Sequence, residues 1–376
     1  MSKQVRIVEV TTKKMLKRFI CFPHELYRDD QHYVPLPNFL IKDMLNPLKN
    51  PFFDNGEVGC FLAIDDHKIV GRIAAIYNKV HLQVYNDNTG FFGFFDCVDD
   101  RYVAASLFSK SVEWLKIKGI TRIFGPENLT TNDPTGILTK GFDDDPVFLM
   151  PYNFPYYENL LLINGFSEIM TLASYKTSLE TLPAELYTKA EILEQRLRQG
   201  NITIRCLDQK KFNEEIKNLH EVYNEANEHN WGFMPLDGRS FFHMAKDLKQ
   251  VVDEESVLLA ECKGQLIGFA VSVRDYNQVF KRISNGKLFP SGWWTLLNGR
   301  KHITRIRIMI IGVLPQWRRL GIDWCFYSKI AQYGKHKQID NGEACYVMQS
   351  NFQMNRMMKA LNAPIVKEYK LYSKNI

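Results

Sequence analysis

The sequence lacks the marks of several classes of protein. None of its seven cysteines forms a CxxC pair, and no His/Cys cluster has the spacing of metal ligands. No apolar run approaches the ~20 residues that a helix needs to cross a bilayer. The first residues, MSKQVRIVEV, lack the apolar segment of a signal peptide. We therefore expect a cytoplasmic protein with reduced thiols and no bound metal.

Basic residues are not gathered into any long run. The chain has 48 Lys and Arg against 42 Asp and Glu, and the net charge of +6 is spread over all 376 residues. Without a basic stripe, zinc spacing or a helix-turn-helix pattern, we expect no nucleic-acid partner. A modest positive field suits an anionic cofactor or a membrane surface.

What the sequence does contain is an internal repeat. Two segments share the pattern strand, short polar turn, strand: CFLAIDDHKIVGRIAAI (60–76) and VLLAECKGQLIGFAVSV (257–273). Gly71 matches Gly268 at an offset of 197 positions, and Tyr175 matches Tyr372 at the same offset. Agreement at both edges indicates two copies of one module.

The periodicity of apolar residues predicts the same order of elements in both copies. Each has an antiparallel meander, a β-α-β crossover, and a final helix and strand. The predicted fold class is therefore α/β (mixed α+β), with a mainly antiparallel sheet flanked by helices in each copy. We place module one at 1–176, a helical connector at 177–200 and module two at 201–376.

The stretch IGVLPQWRRLGIDW (311–324) joins a predicted strand to a predicted helix in module two. The first N–H groups of a helix lack intrahelical partners, and the helix dipole is positive there. Gly321 would let a phosphate approach the backbone, and Arg318 and Arg319 would add charge-assisted hydrogen bonds. A tight turn with solvated arginines is the alternative interpretation.

This loop and its surroundings resemble the GNAT superfamily of acyl-CoA-dependent N-acyltransferases. The GNAT loop has the pattern Gln/Arg-x-x-Gly-x-Gly/Ala, and a strand, an Asn and a further helix follow it, as in SNFQMNRMMKALNA here. The resemblance implies a tandem GNAT protein that uses acyl-CoA as co-substrate. For the pyrophosphate it implies Gln316, Arg318, Arg319, Leu320, Gly321, Ile322 and Asp323. For the pantetheine arm it implies Ile311, Gly312 and Val313. The Asn after the next strand is Asn351.

Three positions depart from the GNAT pattern. Asp323 replaces a small residue and puts a carboxylate near the phosphates, unless it caps the helix. Met358 occupies the place where many GNAT enzymes have a tyrosine general acid. Module one has VDDRYVAASLF at the corresponding loop, with two acids and no glycine. We infer that module one binds no CoA and that module two carries the cofactor.

Three further stretches suggest where a substrate binds. GPENLTTNDPTGILTKGF offers Asn132 and Asp133, NEHNWGFMPL offers His229, Trp231 and Phe233, and KLFPSGWWTLLNGRKHI offers Trp293 and Trp294. His229 is a candidate base because imidazole titrates near neutrality. The last stretch would line an acyl channel or rest on a bilayer. Ordinary surface loops and a structural histidine are the alternatives.

The first two of these stretches, together with the tandem layout, resemble a bacterial family of ceramide synthase-like N-acyltransferases. That resemblance implies a long-chain amine acceptor and a fatty acyl-CoA donor. We expect the neutral amine to attack the thioester directly. Because Met358 replaces the usual tyrosine, the thiolate either leaves unaided or takes a proton from Tyr346, a candidate on the next strand. Two alternatives stay open: an acetyltransferase for a small polar amine or protein lysine, and a non-catalytic CoA- or lipid-binding protein. The oligomeric state is also left open.

Overall fold

The computed structural model describes residues 5–376. They divide into two compact units, each treated separately below. Unit 1 contains residues 5–171, 277–298 and 367–376. Unit 2 contains residues 172–276 and 299–366.

The first half of the chain alternates short helices with strands. The strands are β1 (Arg6–Glu9), β2 (Gly56–Asp65), β3 (Lys68–Asn78), β4 (Thr89–Cys97), β5 (Arg122–Gly125), β6 (Ile137–Lys140) and β7 (Ser167–Ser178). The helices are α1 (Lys13–Leu26), α2 (Asn38–Met44), α3 (Lys79–Tyr85), α4 (Arg101–Lys116) and α5 (Tyr157–Ile163).

The second half repeats this order with a longer insertion. Its helices are α6 (Glu185–Gln199), α7 (Phe212–Asn227), α8 (Gly238–Lys249), α9 (Asn277–Phe280), α10 (Gly292–Gly299), α11 (Ile322–Lys337) and α12 (Phe352–Ala360). Its strands are β8 (Ile202–Cys206), β9 (Val257–Cys262), β10 (Gln265–Arg274), β11 (Arg305–Val313), β12 (Asn341–Met348) and β13 (Ile365–Asn375). The predicted connector is the helix α6.

The sheet of unit 1 has the order β1-β2-β3-β4-β5-β13, and β6 also pairs with β13. Only β4 and β5 run parallel, as the crossover through α4 requires. Helices cover both faces of this sheet. On one face, a Cβ at Gly71 would lie 2.7 Å from Leu107 of α4. On the other face, the neighbouring Arg72 donates to the Phe19 carbonyl of α1 at 2.8 Å. Burial on both faces explains why β4, TGFFGFFDC, is apolar almost throughout.

The sheet of unit 2 has the order β8-β9-β10-β11-β12-β7, again with one parallel pair, β11 and β12. Its core contains the apolar side of α11, including Phe326, Ile330 and Tyr333, as the helical spacing predicts. The mixed, mainly antiparallel α/β fold predicted from the sequence is confirmed for both units.

The last strand of each sheet comes from the other half of the chain. In unit 2, β12 pairs with β7, through registers such as Ala344 with Tyr175. In unit 1, β5 pairs with β13, through registers such as Gly125 with Tyr372. The compact units are therefore built from alternating segments of the chain, whereas the two copies of the repeat follow one another in the sequence. The division at 176 and 200 stays a prediction about the repeat.

Candidate active site

In unit 2 the two parallel strands separate part-way along their length. The pairing of β11 with β12 ends at Ile308 and Ala344. Beyond that point β11 continues to Val313, paired with β10 only. One edge of β11 is thus open where its carboxyl end approaches the loop, the part of an α/β sheet where ligands commonly bind.

The hydrogen-bonding groups on this open edge can be assigned from the strand register. The Leu314 N–H donates to the Ile267 carbonyl at 2.9 Å. Because polar groups alternate in direction along an antiparallel strand, the N–H and C=O groups of Ile311 and Val313 point away from β10. The Val313 carbonyl accepts from Arg318 Nε at 3.0 Å. The Val313 N–H and the groups of Ile311 form a strip suited to an extended amide-containing ligand.

The loop that follows turns the chain into α11. A 3-10 turn, Pro315–Trp317, leads to two residues in the left-handed region, Arg319 with φ 68° and Gly321 with φ 87°. No side chain caps the helix at Gly321, although Asp323 accepts from the Trp324 N–H at 3.0 Å. The start of α11 therefore keeps unsatisfied N–H groups and a positive dipole end, which favour an anion.

Gly321 has a structural role that the sequence did not indicate. Its positive φ favours glycine, and a Cβ there would lie 2.7 Å from Leu193 Cδ1 of α6. A larger residue would disturb the packing of α6 as well as any phosphate site. A substitution at Gly321 would therefore test packing and anion binding together.

A cavity of about 590 Å³ in unit 2 brings most of the predicted site together. The predicted residues that line it are Ile311, Gly312, Val313, Arg318, Arg319, Ile322, Asp323, Asn351, His229 and Trp231. The side chains of Gln316 and Leu320 are exposed and lie off the wall, so only their backbone fits the predicted role. Phe233 packs near Tyr223, with ring centroids 5.9 Å apart.

Two of the lining residues also hold the scaffold. Arg318 Nη2 donates to the Ala226 carbonyl at 2.9 Å, which ties the loop to the end of α7. The Asn351 side chain accepts from the Met354 N–H at 3.1 Å and so caps α12. Of the two loop arginines, Arg319 is the exposed one whose side chain stands at the cavity, and it is therefore better placed to bind an anion.

The two catalytic candidates lie in different surroundings. His229 is exposed and lines the cavity. Tyr346 is half-buried, with its ring 5.9 Å from the Arg307 guanidinium, and it is not part of the cavity wall. Met358, at the expected position of the acid, is fully buried. His229 as the base and Tyr346 as the acid both stay predictions.

Comparison with known proteins places the chain. A scan against models of protein families finds no match. The chain is 32% identical to protein YghO of Escherichia coli (strain K12) over 373 residues, 97% of this chain and 94% of that one. It is 31% identical over 379 residues to the bacterial ceramide synthase of Caulobacter vibrioides (strain NA1000 / CB15N), covering 98% and 97%. This chain belongs to the same family as these two proteins.

Solved structures agree with the fold. A tandem GNAT protein from the clavulanic acid biosynthesis pathway superposes with a TM-score of 0.60 at 10% identity, covering 99% of this chain and 98% of that one. A GCN5-related N-acetyltransferase from Sphaerobacter thermophilus gives 0.56 at 12% identity, with 98% and 95% covered. Both predicted resemblances are confirmed, and so is the enzyme class, an N-acyltransferase.

The first GNAT-like module fills the edge that the second leaves open. By register, Cys97 on β4 corresponds to Val313 on β11. Its N–H donates to the Tyr157 hydroxyl at 3.0 Å, and its carbonyl accepts from the Tyr156 hydroxyl at 2.7 Å. The Phe94 N–H donates to Asn128 Oδ1 at 2.7 Å. Side chains of unit 1 thus occupy the groups that a pantetheine arm would use.

The helix that follows in unit 1 is likewise closed to anions. Asp100, one of the two acids in VDDRYVAASLF, accepts from the N–H groups of Tyr102 and Val103 at 2.8 and 3.3 Å. Its carboxylate occupies the position at the N-terminus of α4 that a phosphate would need.

The predicted substrate residues of the two insertions belong to unit 1. Asn132 is exposed at a loop tip, and Asp133 accepts from Thr130 Oγ1 at 2.8 Å. Trp293 and Trp294 stack with ring centroids 4.4 Å apart. None of the four is among the residues that line the cavity of unit 2. Their role in binding a substrate stays a prediction.

Sequence reasoning missed two buried polar groups in unit 2. Glu343 on β12 is fully buried and accepts from Ser174 Oγ at 2.6 Å, beside Arg307 in the strand register. Tyr327 on α11 contacts Met354 Sδ at 3.4 Å, and burial raises its pKa well above the ordinary value. The acid within the strand pattern NGEACYVM was the available signal for Glu343, whereas nothing in the helix pattern distinguishes Tyr327.

Residues 5–376 include no helix long and apolar enough to cross a membrane. Over the same range, no three His, Cys, Asp or Glu side chains are grouped so that they could hold a metal ion.

Glu127, in the long loop of unit 1, is a buried acid. Its side chain is inaccessible to solvent, and neither carboxyl oxygen has a hydrogen-bond partner within residues 5–376. Burial, and secondarily Asp133, raises its pKa from 4.5 to about 8. The pKa of Glu127 is higher in the folded protein than in the unfolded one. The protonated side chain therefore contributes stability that is fully present below about pH 4.5 and is lost as pH rises through about 8.

Replacing Glu127 with Gln should therefore remove a pH-dependent loss of stability. Between about pH 6 and about pH 9 we expect the stability of Glu127→Gln to rise relative to wild type by about 2–3 kcal/mol. Melting temperatures measured across this range test the prediction. Glu113→Gln, at an exposed glutamate, is the control and should show no such trend. A difference between Glu127→Gln and wild type that is independent of pH would contradict the assignment.

Proposed function

We propose that unit 2 transfers a long-chain acyl group from acyl-CoA to the primary amine of a long-chain, sphingoid-type acceptor. The observation that carries the proposal is the open edge of β11, which leads directly to an uncapped helix N-terminus and Arg319 within one cavity. An extended amide chain followed by a pyrophosphate has the chemistry that this arrangement would recognise.

Part of the cavity wall suits an aliphatic substrate. Three of the lining residues are methionines, Met348, Met354 and Met357, and two more are Trp231 and Trp317. Methionine side chains adapt their shape to flexible apolar ligands. One relative that covers nearly the whole chain is named a bacterial ceramide synthase, which agrees with a lipid amine as acceptor.

The proposed reaction is a direct displacement. The neutral amine attacks the thioester carbonyl, so that a C–N bond forms and the C–S bond breaks. The Val313 N–H on the open edge stabilises the developing oxyanion. His229 accepts the amine proton, either directly or through a water molecule. The thiolate leaves unaided, since a thiol of pKa ≈ 8.5 is a good leaving group near neutral pH.

Thermal stabilisation by CoA, acetyl-CoA and palmitoyl-CoA at matched concentrations tests the donor. A ligand that binds only the folded protein at about 100 times its Kd adds about 2.7 kcal/mol. We expect the largest shift from palmitoyl-CoA, and release of free thiol when a long-chain amine is added. His229→Gln should keep the shift and lose turnover.

The alternatives predict different results. Equal shifts from all three ligands, with turnover on a small polar amine, would indicate an acetyltransferase and overturn the long-chain assignment. A shift from palmitoyl-CoA without turnover on any amine would indicate a binding protein, the reading that Met358 suggests. If no ligand shifts the melting temperature, the proposed CoA site itself is wrong.

A further inference from the structure

The inserted segment of residues 277–298, here called the aromatic insert, has a distinctive composition. It contains three basic residues, Lys281, Arg282 and Lys287, and no Asp or Glu. In the sequence the basic character continues with Arg300 and Lys301. The chain as a whole is nearly balanced, with 48 basic and 42 acidic residues, so this absence of acids marks the segment as unusual.

Large apolar side chains of the aromatic insert face solvent. Phe289 is 80% exposed, Trp294 58% and Leu297 67%. Trp294 and Leu297 are three residues apart on α10, so they share one face of that helix. A single exposed apolar residue is common at a protein surface, but three in one short segment form an apolar tip that residues 5–376 leave exposed.

The aromatic insert is anchored to the body of unit 1. Asn277 Nδ2 donates to the Pro146 carbonyl at 2.8 Å, and Lys281 forms an ion pair with Asp145 at 2.5 Å. Farther along, the Asn285 carbonyl accepts from Asn38 Nδ2 at 3.1 Å. The apolar tip is therefore a surface held in place by the fold.

Charge distinguishes between possible partners of this surface. A two-fold dimer through the tip would set Arg282 and Lys287 against the same residues of the second copy, with no acid in the segment to offset them. An anionic bilayer instead supplies negative charge at its surface and apolar volume beneath it. Trp and Phe are the side chains that favour this interface, and each Lys or Arg near the surface adds attraction.

We propose that the aromatic insert docks unit 1 on an anionic lipid surface, with Phe289, Trp294 and Leu297 entering the interface and Arg282 and Lys287 contacting lipid headgroups. This peripheral contact requires no transmembrane helix. It goes beyond the acyl-transfer proposal and does not depend on it, because it concerns where the protein binds and not what it catalyses.

Co-sedimentation with lipid vesicles tests the proposal. Wild type should bind vesicles that contain phosphatidylglycerol more tightly than pure phosphatidylcholine, and salt should weaken that binding. Combined Phe289→Ser, Trp294→Ser and Leu297→Ser should lower the partition coefficient about tenfold or more on both vesicles. Arg282→Glu with Lys287→Glu should weaken binding only to the anionic vesicles.

A matched control removes an equal number of exposed apolar side chains elsewhere in unit 1. Ile117→Ser, Leu162→Ser and Ile163→Ser, at positions 81%, 50% and 52% exposed, should bind vesicles like wild type. Unchanged melting temperatures confirm that all variants fold, whether or not the protein binds CoA. Equal binding by every variant, equal loss in the control, or a dimer of the wild type that only the tip variant dissolves would overturn the proposal.

Discussion

Arg319→Glu should weaken CoA binding about a hundredfold or more. Arg319 is exposed, lines the cavity and precedes the uncapped start of α11. A charge-assisted hydrogen bond contributes about 1.5–3 kcal/mol, and a carboxylate at the same place adds repulsion. The backbone should tolerate the change, because a non-glycine residue already adopts φ 68° there. Titration calorimetry with CoA measures the loss.

Lys263→Glu is the matched control for this variant. Lys263 is also exposed and basic and has a positive φ of 51°, but it lies in the turn between β9 and β10. It changes the net charge of unit 2 by the same amount without touching the cavity. Wild-type affinity in Arg319→Glu, or an equal loss in Lys263→Glu, would mean that the loop does not hold the phosphates.

Asp96→Ala should destabilise unit 1 by about 3–5 kcal/mol. Asp96 Oδ2 accepts from Arg72 Nε at 2.7 Å, and Tyr27 donates to Oδ1 at 2.9 Å. Arg72 and Asp96 are both almost fully buried, so removing the carboxylate leaves a cation uncompensated inside the protein. For a unit of this size the melting temperature should fall by roughly 10 °C.

Two further variants separate this effect from a general loss of contacts. The double change Arg72→Met with Asp96→Leu removes both charges and should recover most of the stability. Asp43→Ala breaks an exposed pair with Lys49 and should cost less than about 1 kcal/mol. If Asp96→Ala melts like wild type, or the double variant melts lower still, the buried pair is not what stabilises unit 1.

The candidate cofactor loop could be predicted from sequence because its chemistry is local. An apolar strand, two arginines, Gly321 and a helical pattern lie within one short stretch, and α11 begins at Ile322, where the pattern places it. What the motif does not specify is that Arg318 is engaged by the Val313 and Ala226 carbonyls, which leaves Arg319 as the freer arginine.

The closure of unit 1 could not be found in the same way. The missing glycine indicated a lost loop, but the groups that fill the edge of β4 are the hydroxyls of Tyr156 and Tyr157, about 60 residues along the chain from Cys97. Hydrophobic periodicity specifies which face of an element is buried and not which distant side chain it meets. The interleaving of the two sheets could not be predicted for the same reason. Because β7 and β13 match each other at the repeat offset, the sequence does not specify which of them pairs with β5 and which with β12.

The exchange of last strands has a consequence for biosynthesis. Unit 1 needs β13, which lies far along the chain from β5, to cover the edge of β5. During synthesis residues 5–171 therefore leave the ribosome with an unpaired strand edge, and they keep it until β13 has been made. We expect this half to depend on chaperones while it waits, and two separately expressed halves to aggregate unless they are made together.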